Sequence, residues 1–399
     1  MKSNCMRGAS GFRAAKRHNR HYKKNKLGSV KKRKALKVER IPSATANIKK
    51  RRMESRLIII VSVLVFVLII APMAFTILVY NFGVVKRVES PSLSQWFRYE
   101  DVDGYERRLT SFYSGRNKLQ AYIYGETNDK GLIVISHGLD WGAENYFTET
   151  MFFVDNGWRV FTFDNTGTHN SEGRNTRGLP QAVLDLDAAL TYIANQNWKL
   201  PIMLYGHSWG GYAVTAVLGK WHNINAVASL AGFNTPMRVM HETARDYLGL
   251  GIITAICYPH HWTYHNIRFG QHAGLSAVDG INNSGVPVLV IHGTDDHLIS
   301  YGSSSIIAQM DKITNPNVEF VTHSLPHHNG HSNLWRNVET AENIIEFNAA
   351  LNNLRYKYNG KIPEDVLADY FAANRSHINV LDIEFMNKIS GFFERHLVQ

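Results

Sequence analysis

Pro201–Leu218 reads PIMLYGHSWGGYAVTAVL. Pro201–Tyr205 is a short apolar run, the pattern of a strand buried on both faces, and Gly210–Leu218 is a small-residue stretch that reads as a helix. Between them stands Gly206-His207-Ser208-Trp209-Gly210, a serine with a glycine two places away on each side. A serine held on a tight strand-to-helix turn needs that spacing, because side chains at the flanks would crowd the turn. Such a serine sits beside the N-terminus of a helix, where free amides favour negative charge. Chance alone supplies the five-residue pattern from time to time. The strand before it and Gly211 after it give it weight.

Working outward, strands and helices alternate. Gly131–Ser136 (GLIVIS), Trp158–Asp164 (WRVFTFD), Ala226–Ala231, Val286–Ile291 (VPVLVI) and Val318–Thr322 read as strands. Asn145–Asn156 and Leu179–Asn195 read as helices, the second with Val183, Leu186, Leu190 and Ile193 at helical spacing. Alternation with nearly continuous apolar strands predicts an α/β fold, a mostly parallel, doubly wound sheet covered on both faces. Residues 233–285 interrupt the pattern and are expected to be a cap over the C-terminal edge of the sheet. Residues 357–399 are expected to be a helical extension, with helices over Pro363–Ala373 and Ile378–Leu397.

A serine hydroxyl is inert at neutral pH unless a base takes its proton and an acid orients that base. In this topology the acid and then the histidine should follow the serine in the chain. Val286–Ile291 runs into His292-Gly293-Thr294-Asp295-Asp296, which offers Asp295 and Asp296 as the acid. Val318–Thr322 runs into a loop that offers His327, His328 and His331 as the base. The C-terminal edge of a parallel sheet is where such groups gather.

Over about residues 105–355 the chain resembles the α/β-hydrolase fold family. It is most similar to its monoacylglycerol-lipase-like and serine-aminopeptidase-like branch, which includes membrane-anchored bacterial members. Four motifs carry the resemblance. Ser136-His137-Gly138-Leu139 resembles the family's HG oxyanion loop. Asp164–Gly173 (DNTGTHNSEG) resembles its D-x-x-G-x-G-x-S-x-G segment, with Thr168-His169 where a His-Gly pair is usual. Gly206–Gly210 is the nucleophile elbow. His292-Gly293-x-x-Asp296 is the acid loop. The resemblance implies Ser208 as nucleophile, Asp296 ahead of Asp295, and His331 ahead of His328 and His327, because Gly330-His331 matches the family's Gly-His pair. It also implies an oxyanion hole from the backbone N–H groups of Leu139 and Trp209.

The chain has 399 residues, 44% hydrophobic and 19% charged, with a net charge of +11. The basic excess has one address. Residues 1–56 hold 20 Lys and Arg against Glu39 and Glu54, a charge of +18, which leaves −7 on everything after them. Leu57–Tyr80 follows, 24 residues with no charge. As a helix it spans roughly 36 Å, enough for a bilayer core. It is longer than the apolar part of a cleaved signal peptide and lacks a small-x-small site behind it. Lys49, Lys50, Arg51, Arg52 and Arg56 crowd its N-terminal side, so the positive-inside rule places the tail in the cytoplasm and the rest outside. The organisation expected is a disordered basic tail (1–56), one transmembrane helix (57–80), a stalk (81–104) and a hydrolase domain (105–399). The tail is expected to rest on anionic lipid, with an RNA-binding arm as the weaker reading. Cys5 and Cys257, the two cysteines, fall on opposite sides of the membrane.

The function expected is that of a single-pass cell-membrane serine hydrolase acting on a small-molecule or lipid ester. The alternatives are a peptidase or amidase with the same triad, and a non-catalytic binding protein on the same scaffold. No dinucleotide fingerprint, phosphate loop or metal-ligand spacing is present, so no cofactor and no metal are expected. His260, His261, His265 and His272 are read as cap residues. Trp141, Tyr146, Phe233, Tyr258 and Trp262 are candidates to line an acyl pocket.

Overall fold

The computed structural model describes residues 44–220, 222–249 and 251–397. The chain divides into two compact units, Met1–Ile59 and Ile60–Gln399. In the first, helix α1 (Ala44–Val65) begins well before the apolar segment and carries the exposed basic residues Lys49–Arg52 and Arg56. The tail expected to be disordered to residue 56 is therefore helical from Ala44. Lys and Arg are good helix formers and simply prolong the apolar helix backwards. The rest of that tail, residues 1–43 with Cys5, lies outside the described residues.

In the second unit a π turn (Phe66–Ile70) leads into α2 (Ala71–Val79), with Pro72 in its first turn, and a further π turn spans Tyr80–Val84. The wide turn just ahead of Pro72 sits where that proline withholds a hydrogen bond from the ladder. The helical run Ala44–Gly83 is long and apolar enough to cross a membrane. Its most apolar window has a mean hydropathy of 3.1 and is 6% buried. A core helix of a soluble domain would be covered.

The stretch expected to be a free stalk is fastened down. Val85 is buried, Val88 bridges to Thr168, and Arg87 donates to the carbonyls of His169, Ser171 and Gly173 at 2.8–3.0 Å. Phe97, Tyr99 and Val102 pack against the core. Eight strands among the described residues form one sheet in the order β1-β2-β4-β3-β5-β6-β7-β8. They are β1 (Arg107–Ser114), β2 (Asn117–Tyr124), β3 (Leu132–Ser136), β4 (Arg159–Phe163), β5 (Ile202–His207), β6 (Ala226–Leu230), β7 (Val288–Gly293) and β8 (Val318–His323). From β4 to β8 all neighbours run parallel, whereas β1 and β2 form an antiparallel hairpin whose second strand pairs antiparallel with β4.

The strands alternate their side chains between two cores. Leu132, Val134 and Leu204 point to one face, Ile133, Ile135, Met203 and Tyr205 to the other. The first core is closed by α4 (Gln181–Ala194), α5 (Trp209–Ala216) and, through Ala277 and Ile281, by α8 (Ala277–Ser284). The second is closed by α3 (Phe147–Asp155) and α11 (Ile383–Glu394). Thus β3 and β5, side by side, lead into helices on opposite faces, and the crevice between their C-terminal ends is the topological switch point.

Two expected boundaries move. The cap is α6 (Pro236–Leu248) and α7 (Gly251–Phe269), while α8, expected inside the cap, is part of the sheet's cover. The C-terminal residues are likewise no appendage. Helices α9 (Val338–Lys357) and α10 (Glu364–Ile378) share a small core of Phe347, Leu351, Phe371 and Ile378. Helix α11 buries Phe385, Met386, Ile389, Phe392 and Phe393 in the main one.

Candidate active site

Ser208 is the single residue between β5 and α5, and its backbone has φ 57° and ψ −113°. A non-glycine residue there stores on the order of 1–3 kcal/mol of strain. The flanking glycines are there for room. A Cβ on Gly206 would come 2.3 Å from the Gly210 carbonyl oxygen, and one on Gly210 would come 1.9 Å from that of Ser136. The elbow is therefore pressed against the end of β3, and no other residue type fits at either position.

The structure brings together three of the residues singled out in the sequence. Ser208 Oγ lies 2.8 Å from His331 Nε2, and His331 Nδ1 lies 2.7 Å from Asp296 Oδ2. Asp296 Oδ1 accepts from the amides of Leu298 and Ile299, and Oδ2 also meets His292 Nε2 at 3.0 Å. Burial alone would raise the Asp296 pKa. The hydrogen bonds from His292 and His331 outweigh it and hold the carboxyl well below its usual range. The alternatives are elsewhere. Asp295 is exposed beside His297. His328 faces α11, with Nε2 3.8 Å from Asp382, and His327 lies on the surface.

Sequence reasoning missed the side chains that fix this geometry. The Gly138 amide donates to Tyr146 Oη, the Tyr146 hydroxyl lies 2.8 Å from His207 Nδ1, and His207 Nε2 lies 2.9 Å from the His331 carbonyl. With Nε2 protonated and Nδ1 accepting, every contact in that series pairs a donor with an acceptor. One buried histidine thus ties the loop after β3 to the loop of His331. Burial first, and the neighbouring His331 second, push the His207 pKa down to about 3, so the ring is neutral. His137 repeats the device. Its Nδ1 lies 2.7 Å from the Gly138 carbonyl, its Nε2 accepts from the Asn165 amide, and burial lowers its pKa to about 3. His207 occupies a variable place in the elbow motif, so only its own identity could have flagged it.

Leu139 follows β3 and Trp209 opens α5, and both border the space over Ser208. The first amides of a helix have no partner within it. Trp209 is held by its indole, which donates to the Leu179 carbonyl at 2.6 Å.

Over Ser208 and His331 lies a cavity of about 530 Å³. Leu139, Trp141, Phe233, Met240 and Tyr258 line it, together with residues of α2 and α7. Of the expected aromatic lining, Tyr146 is instead in the hydrogen-bond series and Trp262 is exposed. His261 borders the cavity and His265 Nε2 lies 3.2 Å from the Ala273 carbonyl. Among the described residues no cluster of His, Cys, Asp or Glu is arranged to hold a metal ion.

Residues 127–256 match the family model described as serine aminopeptidase, S33. The chain is 24% identical over 225 residues to a monoacylglycerol lipase of Mycolicibacterium smegmatis, covering 48% of this chain and 79% of that one. In fold it is similar to the Pyrococcus furiosus esterase Pf2001, with a TM-score of 0.52 and 16% identity over 78% of this chain and 99% of that one. A second crystal form of the same esterase gives 0.50. Sheet order, strand-end site and these likenesses agree, and the chain is an enzyme of the α/β-hydrolase superfamily.

Proposed function

We propose that the protein is a membrane-anchored serine hydrolase that cleaves a carboxylic ester, a lipid or another acylated molecule. The observation that carries this reading is the hydrogen-bonded run Ser208–His331–Asp296 at the floor of an apolar cavity. Ser208 Oγ attacks the carbonyl carbon while His331 Nε2 takes its proton. The amides of Leu139 and Trp209 hold the oxyanion. The tetrahedral species collapses, the alcohol leaves with the proton from His331, and an acyl-enzyme remains. Water then attacks, gives its proton to His331, and releases the carboxylic acid and free Ser208. Asp296 fixes the ring tautomer and stabilises the imidazolium.

The lining favours an ester over a peptide. An aminopeptidase needs a carboxylate for the substrate's ammonium group, and among the described residues the one acid that borders the cavity, Asp140, is already paired with Lys86 at 3.0 Å. The exposed apolar window within the helical run Ala44–Gly83 supports a bilayer-spanning anchor, with the basic residues Lys49–Arg56 ahead of it on the cytoplasmic side and in reach of anionic lipid. The test is Ser208→Ala in the full chain. Ester hydrolysis is expected to fall by about 10⁴-fold or more, and labelling by a fluorophosphonate probe to disappear. A mutant that still labels would sink the assignment. Activity on aminoacyl-anilides without activity on p-nitrophenyl esters would replace the esterase by a peptidase.

A further inference from the structure

The cavity above Ser208 is not built by the hydrolase domain alone. Phe75, Thr76, Val79 and Tyr80, on α2 and the turn after it, form part of its wall, beside Thr254 and Cys257 of cap helix α7, on which α2 packs. The contact is built rather than incidental. Thr76 and Tyr80 are 6% and 1% exposed. Tyr80 meets the ring of Tyr264 edge-on at 5.3 Å, and Asn81 Nδ2 donates to the Tyr264 hydroxyl at 2.9 Å. Tyr80, Val85, Phe269 and Ala273 share a small core. On the same helix Phe75, Ile77 and Leu78 are exposed, and on α7 so are Ile252, Ile256 and Trp262. One helix therefore offers apolar side chains to the cavity on one side and uncovered apolar surface on the other.

Leu57–Tyr80 is the segment that fits the bilayer core, so Phe75–Tyr80 is its outer end. At 1.5 Å per residue those six positions fall within roughly 8 Å of its rim. A cavity walled by these side chains is level with the end of the span, where acyl chains meet headgroups. Resting on the esterase reading above, we propose that the outer end of the anchor is the acyl-selecting wall of the active site. The substrate class is then an ester lipid of the same membrane, whose chain slides in beside α2 without entering water. In this arrangement the anchor helix selects substrate as well as holding the enzyme in place.

The experiment uses the full chain in phospholipid nanodiscs with p-nitrophenyl butyrate and p-nitrophenyl laurate, and reads the ratio of their kcat/KM values. Val79→Trp fills the wall and is expected to lower the laurate-to-butyrate ratio about tenfold or more. Val79→Ala removes apolar contact to the long chain alone and is expected to lower the ratio by a few-fold. The ratio cancels any loss of active protein, so a poorly folding variant does not mimic the effect. A ratio that moves by less than twofold in both variants overturns the wall while leaving the esterase intact. A wild-type enzyme that hydrolyses neither ester overturns the underlying reading, and this inference with it.

Discussion

At the scale of residues, the site depends on a histidine that does not touch the reacting atoms. His207 links the loop carrying Leu139 to the loop carrying His331 through Tyr146, and it is neutral because burial forbids its charge. This has a consequence for stability. An unfolded histidine takes up a proton below about pH 6.5, whereas folded His207 does so only near pH 3. Between those values the unfolded chain binds one more proton than the folded one, so His207 makes stability fall as pH falls. His207→Gln removes that dependence and can keep one hydrogen bond to each neighbour. The stability advantage of wild type over this variant should shrink by about 1.4 kcal/mol per pH unit between pH 6 and 4. Denaturant unfolding of both proteins in detergent at stepped pH measures it, and a gap independent of pH would mean His207 is not held neutral. Chain order and strand ends narrowed the sequence to Ser208, to Asp295 or Asp296, and to His327, His328 or His331, and the family resemblance put Asp296 and His331 first. His207, Tyr146 and His292 were not legible in it, because their part depends on where a side chain points.

Elements were legible in proportion to their burial. Strands β3 to β7 are covered on both faces, so their apolar runs stand out, and the observed bounds fall within one or two residues of those read from the sequence. The hairpin β1–β2 went unread. β1 is an edge strand, RRLTSFYS, with Leu109 and Tyr113 exposed, and it lacks an unbroken apolar run. Helix α11 was read as a helix but not as core, because what it covers, β6 together with Phe153 and Trp158, lies about 150 to 240 residues away in sequence. Phe393 is fully buried there, near Trp158, whose indole donates to Ser390 at 3.2 Å, and near Phe153. Phe393→Ala should cost about 3–5 kcal/mol by analogy with other buried phenylalanines. Thermal unfolding would show it as a large drop in midpoint. A loss below about 1 kcal/mol would mean the C-terminal helix is dispensable cover rather than part of the core.

For the whole molecule, the decisive quantity is where charge sits along the chain. The +18 of residues 1–56 against −7 beyond gives the two sides of the apolar segment opposite characters. The structure sharpens the contrast. Lys49, Lys50, Arg51, Arg52 and Arg56 are exposed along α1, free to meet anionic headgroups. The first two positives on the other side are engaged within the fold, Lys86 with Asp140, and Arg87 with Glu89 and three backbone carbonyls. Basic residues near the end of a span set orientation by resisting translocation, and here five of them stand on one flank. The site of Ser208 should therefore face away from the cytoplasm. In intact cells freed of any outer barrier, added protease should digest the hydrolase domain and spare an epitope tag fused at residue 1. Replacing Lys49, Lys50, Arg51, Arg52 and Arg56 with Gln should yield a second population with the tag digested. A tag lost from the unaltered protein while the domain survives would reverse the orientation. It would also place the enzyme's substrate in the inner leaflet.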